Sequence, residues 1–381
     1  MPSPDPSTPA RARRPEFLAL LERFVACETP THGKAAGDRM ADLLAATLAD
    51  DGWRVERTPR RDVGDVLCAT LPGDGRDRGS LVLAHYDTVW PIGTLAAMPF
   101  RVDAASDRAY GPGTLDMKAG IAATILAARL LADAGTPAAG GVTLLITSDE
   151  ETGSAHSRER IEAEARRHER VLVVEPARDD GALKVGRKGV ADYHLDLHGV
   201  PAHAGNHPDD GASALVELAH LVLFLRSLDD RDAATTVHPT VARAGGAVNV
   251  ITEHAHLDVD VRVLRLDEAA RVDDAIRAWE LRDPQVRLEV AGGLNRPPME
   301  PTAANLALFE RARALAGTWG ATLEGAVVGG GSDGNFTSAL GVPTLDGLGA
   351  CGRGAHARDE HVRIGDTLDR VALLAALLTQ P

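Results

Sequence analysis

Two patterns of hydrophobic and polar positions divide the chain. In its first and last parts, short apolar segments alternate with segments whose apolar residues recur at helical spacing. The predicted strands here are WRVERT, DVLCATL, SLVLAHYD, VTLLIT and VLVVEP, and the predicted helices are 16–25, 35–49, 121–134 and 303–316. Short apolar runs are typical of strands that are buried on both faces. Their alternation with helices predicts an α/β fold with a doubly wound, mostly parallel sheet.

Between residues 185 and 294 the pattern becomes a strict alternation of apolar and polar residues. The segment ADYHLDLH, residues 191–198, places apolar side chains on one side of a strand and Asp or His on the other. This alternation indicates strands with one solvent-exposed face. The order of elements is strand, helix, strand, strand, helix, strand, which is typical of an α+β, ferredoxin-like module. We therefore predict an inserted domain over 185–294, within an α/β domain formed by 16–184 and 295–381.

Length, composition and charge narrow the class of protein. A chain of 381 residues suits two domains, and 44% hydrophobic with 25% charged residues is ordinary for a globular protein. The formal net charge of −14 argues against a nucleic-acid partner, which would require a basic surface. The three cysteines are odd in number and far apart, which argues against a disulfide framework and a CxxC zinc site.

The N-terminal segment also bears on the class of protein. MPSPDPSTPARARRPEF is rich in Pro, Ser and Arg and lacks the apolar run of a secretory signal. We interpret residues 1–15 as a disordered tail. No apolar run in the sequence approaches the roughly 18 residues that a membrane span needs. We therefore expect a cytoplasmic protein with no membrane partner.

Acidic and histidine side chains follow three of the predicted strands at the point where each strand ends. These are His85 and Asp87 at the end of SLVLAHYD, Glu150 and Glu151 after VTLLIT, and Glu175 after VLVV. Because ligands gather at the carboxyl ends of the strands in such a sheet, we expect these side chains to lie close together. Asp116, in the turn GPGTLDMKAG, and His356, in a Gly-rich loop, can point to the same place.

This set of side chains suits divalent metal ions. Histidine nitrogens and carboxylate oxygens are ligands of zinc. The carboxylates exceed what one ion needs, whereas two ions about 3.5–4 Å apart, bridged by a carboxylate, use them all. Two cations also neutralise the acids that crowd the end of VTLLIT. Asp87 lies two residues from His85, where it can accept a hydrogen bond from the second ring nitrogen.

Seven motifs resemble those of the M20 family of co-catalytic zinc peptidases. They are HYDTVWPIGTLAAMPFRVD, AYGPGTLDMKAG, ITSDEETGS, VVEPA, GVPAHAG, GGGSDGN and GAHARDEHV, in family order over residues 85–362. Within the family, the chain is most similar to the glutamate carboxypeptidases of the carboxypeptidase G2 type. The resemblance implies that the α/β domain is catalytic. It also implies that the inserted module is a lid and dimerisation domain, so that the protein is a homodimer.

The resemblance assigns the metal ligands residue by residue. It implies two Zn2+ per subunit, for which Co2+ or Mn2+ could substitute. Asp116 bridges the two ions. His85 and Glu175 complete one site, and Glu151 and His356 complete the other. A cis peptide bond is implied directly after Asp116.

The resemblance also implies the catalytic residues Glu150, Asp87 and His203. Glu150 is the general base, which takes a proton from the metal-bound water so that the hydroxide can attack, and then passes the proton to the departing nitrogen. Asp87 supports His85. His203, in the motif PAHAG, would reach the active site of the partner subunit and stabilise the oxyanion.

The implied substrate is an N-acyl amino acid or short peptide, cleaved at the amide bond to a C-terminal Glu or Asp. The residues implied to contact it are Asn249, Arg262, Arg296, Gly330, Gly331 and Ser332. Arg suits a substrate carboxylate because its planar guanidinium can donate two parallel hydrogen bonds.

Two alternatives to this function stay open. One is the same chemistry on another substrate, as in an aminoacylase, a dipeptidase or an N-acyl-diamino acid deacylase. The other is a binding protein that keeps the fold without the reaction, which the presence of all ligands and of Glu150 disfavours. His194, His198 and His256 lie on the polar sides of the inserted strands, and we interpret them as solvated residues with no role as ligands.

Overall fold

A computed structural model of the protein describes residues 7–76 and 78–380. Its helices are Ser7–Ala12 (α1), Arg14–Val25 (α2), Lys34–Asp50 (α3), Ala119–Asp133 (α4), Arg158–Arg167 (α5), Ala214–Ser227 (α6), Leu266–Arg277 (α7), Ala303–Gly317 (α8), Gly334–Ala339 (α9) and Ile364–Leu378 (α10). Its first strands are Arg54–Thr58 (β1), Val66–Leu71 (β2), Ser80–His85 (β3), Arg101–Asp103 (β4), Arg108–Tyr110 (β5), Val142–Thr147 (β6), Arg170–Val173 (β7) and Leu183–Arg187 (β8). The remaining strands are Gly189–His198 (β9), Thr236–Ala244 (β10), His254–Val263 (β11), Arg287–Arg296 (β12), Gly325–Val328 (β13), Thr344–Leu345 (β14), Gly352–Arg353 (β15) and His361–Arg363 (β16).

The chain forms two compact units. The first runs to Val185 and resumes over Pro301–Val327 and from Ser332, and the second contains Gly186–Glu300 and Val328–Gly331. The second unit extends beyond the predicted insert of 185–294 because of two backbone pairings. Arg187 exchanges backbone hydrogen bonds of 2.9 and 3.0 Å with Met299, and the Lys188 amide donates to the Val328 carbonyl at 2.9 Å.

A six-stranded sheet in the order β1-β2-β6-β3-β7-β14 forms the centre of the first unit. The pairs β3–β6, β3–β7 and β7–β14 are parallel, and β1–β2 and β2–β6 are antiparallel. The fold is therefore the predicted α/β type, with antiparallel strands at one edge. Successive residues of a strand point to opposite faces. Leu81 and Leu83 accordingly join an apolar cluster with α5 and α9, whereas Val82 and Ala84 join a larger cluster with α2, α4 and α10.

The helices α4 and α10 are apolar because both lie in the larger of these clusters. In α4 every residue from Ala119 to Ala128 is buried, and α10 is buried at most of its positions from Ile364 to Leu378. A helix that is apolar on all sides is typical of a protein core or a membrane span. Among the described helices we find none with the length and apolar composition needed to cross a membrane.

A second, four-stranded sheet of the first unit was not predicted from the sequence. Its order is β15-β16-β5-β4, and each neighbouring pair is antiparallel. The strands have two or three residues each, which is too short to give an alternating pattern. This sheet matters for the site, because β5 leads into the turn that contains Asp116, and the β15–β16 connection contains His356.

The second unit has the predicted ferredoxin-like order. Its sheet has the order β10-β11-β9-β12, with every neighbouring pair antiparallel, and α6 and α7 are the helices between the strands. Apolar residues of the strands and helices form one buried cluster, whose members include Tyr193, Leu195, Val259 and Leu221. Among the described residues, the helices of this unit thus cover one face of the sheet, as the alternation in ADYHLDLH predicted.

The predicted disordered tail is wrong for residues 7–15. Ser7–Ala12 is helical, Ala10 is fully buried, and the Arg11 guanidinium donates two hydrogen bonds of 2.8 and 2.7 Å to Asp369 of α10. The composition of the segment cannot reveal such a partner, which is 358 residues away in the sequence. Residues 1–6 of the predicted tail lie outside the described residues.

Gly120, near the start of α4, lies against the end of β7. A Cβ atom at residue 120 would lie 2.0 Å from the Val174 carbonyl oxygen, directly before Glu175. Backbone atoms cannot yield as the tip of a flexible side chain can. The close approach of α4 to this strand end therefore requires glycine at position 120.

We expect Gly120→Ala to lower the free energy of unfolding by about 1–3 kcal/mol, because the added methyl group overpacks the contact with Val174. The matched control is Gly317→Ala at the end of α8, where an added Cβ meets no atom within 4 Å. This control should be neutral or slightly stabilising. Urea unfolding followed by circular dichroism compares the two, and equal midpoints for both variants would contradict the packing argument.

Candidate metal centre

Three neighbouring parallel strands bring the predicted ligands to one edge of the central sheet. His85 is the last residue of β3, Glu150 begins a short helical turn after β6, and Glu175 lies two residues after β7. Because β6, β3 and β7 are adjacent and parallel, their carboxyl ends meet. The turn with Asp116 and the loop with His356 close on the same edge, and all these residues belong to the first unit.

The side chains form two groups of possible ligands that share Asp116. In the first, His85 Nε2 lies 3.2 Å from Asp116 Oδ1 and 3.1 Å from Glu175 Oε1. In the second, His356 Nε2 lies 3.5 Å from Asp116 Oδ2 and 3.1 Å from Glu151 Oε2. Within each group, one nitrogen or oxygen atom per residue lies within 4.8 Å of the others. Asp116 thus offers one oxygen to each group, as a bridging carboxylate does.

The hydrogen bonding of these carboxylates fits bound cations. Asp116 Oδ1 is close to the His85 ring, yet neither this atom nor Glu151 Oε1 accepts a hydrogen bond from the described residues, although both are buried. A buried charged oxygen without a donor costs free energy. A cation in each group would satisfy both atoms, and the nitrogen and oxygen ligands present are those that zinc takes.

Without metal, the neighbouring carboxylates favour the charged form of both histidines. Burial opposes a charge on His85, but the contacts with Asp116, Asp87 and Glu175 prevail and raise its pKa well above the ordinary value. The carboxylates of Asp116 and Glu151 raise the pKa of His356 to about 11. Burial raises the pKa of Glu151, which shows how unfavourable a further negative charge is at this place.

Asp87 contacts both His85 and the backbone of Glu150 and Glu151. Its Oδ1 lies 3.3 Å from His85 Nδ1, and its two oxygens accept hydrogen bonds of 3.2 Å from the amides of Glu150 and Glu151. The Thr31 hydroxyl donates to the same carboxylate at 2.7 Å. Glu150 belongs to neither ligand group, and its Oε2 lies 3.9 Å from His85 Nε2. The position suits a group that exchanges protons beside the metals.

Glu360 is a buried residue of the site for which no role was predicted from the sequence. Its Oε1 accepts hydrogen bonds from the amides of Leu115 at 2.8 Å and Asp116 at 3.2 Å. Its Oε2 accepts from the amide of Gly113 and the indole of Trp90, both at 2.9 Å. Glu360 therefore holds the backbone of the turn that presents Asp116. The only sequence signal is an acid close after His356, and the exposed Asp359, three residues after it, is an equal candidate to Glu360, four residues after it.

Two backbone features lie at the candidate metal ligands Asp116 and His356. The peptide bond Asp116–Met117 is cis, as the resemblance implied. His356 has a φ of 62°, in the left-handed region that residues other than glycine rarely adopt. Residues held in this region cluster at functional sites, where the surrounding structure fixes them. Here the fixing element is the small sheet, in which β15 and β16 flank the loop.

The predicted residues His203 and Asn249 lie in two neighbouring loops of the second unit. His203 forms a bridge with Val250, and the Ala204 amide donates to the Asn249 carbonyl at 3.0 Å. His203 Nδ1 accepts hydrogen bonds from the amides of Gly205 and Asn206 at 3.1 and 3.0 Å. Its Nε2 is consequently the nitrogen left to act on another molecule, and its role at a partner subunit stays a prediction.

The predicted arginines lie at one end of the same sheet. Arg262 of β11 and Arg296 of β12 are both opposite Val190 of β9, one on each side. Arg262 binds Asp260, with Nη2 at 2.6 Å from Oδ2. Arg296 is buried.

The residues of the loop 330–332 have two different sets of contacts. The buried Arg187 guanidinium donates to the carbonyls of Gly330 and Gly331 at 3.2 and 3.0 Å. Ser332 is fully buried, and its hydroxyl donates to Asp346 at 2.6 Å. The Ser332 hydroxyl therefore braces the loop, and the predicted contact of Ser332 with substrate stays a prediction.

Comparisons with known proteins agree with this geometry. Residues 81–380 match peptidase family M20/M25/M40. Carboxypeptidase G2 from Pseudomonas sp. (strain RS-16) is 34% identical over 97% of this chain and 90% of its own. Succinyl-diaminopimelate desuccinylase from Rhodospirillum centenum is 27% identical over 96% of this chain and 97% of its own.

Solved structures share the fold over nearly the whole chain. Aminopeptidase PepT from Bacillus cereus has a TM-score of 0.77 at 22% identity, with 96% of this chain and 98% of that chain covered. An M20 family metallo-carboxypeptidase from Sulfolobus solfataricus has a TM-score of 0.75 at 17% identity, with 96% and 98% covered. This protein belongs to peptidase family M20/M25/M40. It is a metal-dependent hydrolase of peptide or amide bonds.

We expect metal loading of the two ligand groups near neutral pH to release about two protons, because a ligand histidine must be neutral and the carboxylates favour the charged forms of His85 and His356 without metal. Since the raised pKa of His356 is about 11, its proton stays bound until a metal displaces it. His356→Ala should release one proton fewer, and His207→Ala, in the second unit, should behave as the wild type. Calorimetric zinc titration in buffers of different ionisation enthalpy measures the protons, and equal release from all three proteins would contradict this assignment.

We expect Glu360→Gln to weaken zinc binding about 10–100-fold, as the loss of groups that orient metal ligands does. A Gln amide nitrogen in place of one carboxylate oxygen would face backbone donors instead of accepting from them. Asp359→Asn removes a charge at the next residue without touching the turn and is the control. Competition with a zinc chelator gives the affinities, and similar values for the two variants would show that Glu360 does not position Asp116.

Proposed function

We propose that the protein is a dizinc hydrolase that removes a C-terminal amino acid, Glu or Asp, from an N-acyl amino acid or short peptide. The observation that carries the proposal is the pair of ligand groups that share Asp116, with Glu150 beside them and outside both. Zn2+ fits the ligands, and Co2+ or Mn2+ would be accepted by the same set.

The chain supplies the proton transfers of this reaction. Two cations bound here would polarise the amide carbonyl and make a water molecule acidic. Glu150 takes the proton of that water and later gives it to the leaving nitrogen. Its backbone amide is held by Asp87, which also lies against the His85 ring, so one carboxylate sets the position of both residues.

Two arginines support a substrate with a free carboxylate. Arg262 and Arg296 flank Val190, so two guanidinium groups lie at one end of the sheet of the second unit. Each can donate paired hydrogen bonds to a carboxylate. One relative is named a carboxypeptidase, which is consistent with a carboxylate at the end of the substrate. We assign Gly330 and Gly331 to the same recognition, together with Asn249.

A second candidate is an N-acyl-diamino acid deacylase. Three relatives of 27–29% identity are named succinyl-diaminopimelate desuccinylase. Both candidates cleave an amide between an acyl group and an amino acid, so they share the metal chemistry and differ in the two substituents. The 34% identity to carboxypeptidase G2 favours the first.

We also propose that the second unit forms a homodimer and that His203 acts in the active site of the partner subunit. Its Nδ1 is occupied by two backbone amides, so its Nε2 can donate to an oxyanion. The cytoplasmic location predicted from the sequence stays a prediction.

We expect Glu150→Gln to reduce kcat about 10²–10⁴-fold, because proton transfer by a positioned side chain contributes that much. Zinc content should stay at that of the wild type, since Glu150 belongs to neither ligand group. Glu151→Gln is the matched variant, and it should lose metal as well as activity. Elemental analysis alongside kinetics separates the two, and an active Glu150→Gln enzyme would exclude Glu150 as the base.

We expect N-acyl Glu or Asp to be hydrolysed in preference to N-acyl Ala, Phe and Lys under one aromatic acyl group. The matched amides of the Glu and Asp substrates, which lack the free α-carboxylate, should be poor substrates because the arginines lose their partner. A succinyl group on a diamino acid tests the second candidate in the same assay. Preference for the succinyl compound would replace the first candidate, and no turnover by zinc-loaded protein would favour the binding-protein alternative.

A further inference from the structure

The uncovered face of the sheet in the second unit carries a group of histidines and acids that the hydrolase function does not use. On neighbouring strands β9 and β11, His194 and Asp196 face Asp258 and His256. From the sequence alone, these histidines were interpreted as solvated residues. Their register changes that interpretation, because His194 is directly opposite Asp258 and Asp196 is directly opposite His256.

Three of these side chains converge on one point. His194 Nδ1 lies 2.6 Å from Asp258 Oδ1, and His256 Nε2 lies 3.0 Å from the same oxygen. One ligand atom each from His194, His256 and Asp258 lies within 4.8 Å of the others. This is the same closeness that the two ligand groups of the catalytic centre show. Two imidazole nitrogens and a carboxylate oxygen are a common ligand set for zinc.

The fourth residue, Asp196, contacts the His256 ring. His256 Nδ1 lies 2.7 Å from Asp196 Oδ1, so the ring has an acid on one nitrogen and the shared oxygen of Asp258 on the other. Histidines that bind metals usually have their second nitrogen fixed by a carboxylate in this way. The catalytic centre repeats the arrangement, with Asp87 on Nδ1 of His85 and ligands on Nε2.

The backbone makes the arrangement rigid. Opposite residues of an antiparallel pair have Cβ atoms about 4.5–5.5 Å apart, so the four side chains occupy a compact square on two bonded strands. Pairing continues on both sides, from His254 opposite His198 to Val263 opposite Gly189. A metal bound here would therefore need no movement of the main chain.

We propose that His194, His256 and Asp258 bind one divalent transition-metal ion, with Asp196 orienting His256. The site is open on one side, since the His194 side chain is 57% exposed and that of Asp258 28%. Water completes the coordination. The chemical class of ligand is a zinc-like ion with affinity for imidazole, such as Zn2+, Ni2+ or Cu2+. By joining β9 to β11, the ion stabilises the sheet of the second unit.

The proposal is tested by counting zinc on the full-length chain. Metal-free protein is titrated with Zn2+ under calorimetry, and bound zinc is counted after dialysis at fixed free Zn2+. We expect three zinc ions per wild-type chain, two in His256→Ala and two in His194→Ala. The control, His220→Ala, replaces a histidine on α6 of the same unit and should keep three. Asp196→Asn should keep the third ion but bind it about 10–100-fold more weakly.

The variants should fold as the wild type, because the replaced side chains lie on an uncovered face. Metal-free melting temperatures check this, and zinc should raise the melting temperature of the wild type more than that of His256→Ala.

An anomalous diffraction peak between His194 and His256 in zinc-grown crystals would locate the ion. Two zinc ions on the wild type, or an unchanged third ion in His256→Ala, would overturn the proposal. Hydrolysis should survive in His256→Ala, so this result is separable from failure of the proposed function.

Discussion

The repulsion among carboxylates at the end of one sheet is the constraint on which the rest of the site depends. Asp116, Glu150, Glu151 and Glu175 meet there with only two histidines in the same groups. In a buried place such charges repel strongly, because the surroundings screen them weakly. The protein compensates for this repulsion in two ways. Backbone and side-chain donors hold the supporting acids, and the remaining acids form the two groups that could bind cations.

The supporting acids Asp87 and Glu360 are held by hydrogen bonds. The Asp87 carboxylate accepts hydrogen bonds from the backbone amides of Glu150 and Glu151 and from the Thr31 hydroxyl. The Glu360 carboxylate accepts hydrogen bonds from three backbone amides and one indole. Their charges are thus stabilised by hydrogen bonds to the chain itself. Asp116 Oδ1 and Glu151 Oε1 have no such donors among the described residues. The distribution of donors separates the acids that build the site from those that are proposed to bind metal.

The parts of this site that the sequence predicts are those with a local pattern. The buried strands that end at or shortly before His85, Glu150 and Glu175 were visible because apolar runs stop close to acids or histidine, and parallel strands bring such ends together. The small sheet had no such signal, since its strands have two or three residues. The position of Glu360 depends on that sheet, so it could be found only from contacts 244 to 270 residues apart in sequence. The helix at residues 7–12 was missed for the same reason.

The geometry of one helical turn explains why the adjacent side chains of Glu150 and Glu151 point to different places. They stand in a tight helical turn after β6, where successive side chains point about 120° apart. Asp87 binds both backbone amides, so the turn cannot rotate to exchange the two side chains. Glu151 therefore faces His356, whereas Glu150 is held 3.9 Å from His85 Nε2 and outside the ligand groups. The proposed ligand Glu151 and the proposed base Glu150 can consequently be neighbours in sequence, because the turn directs their side chains to different places around the two ligand groups.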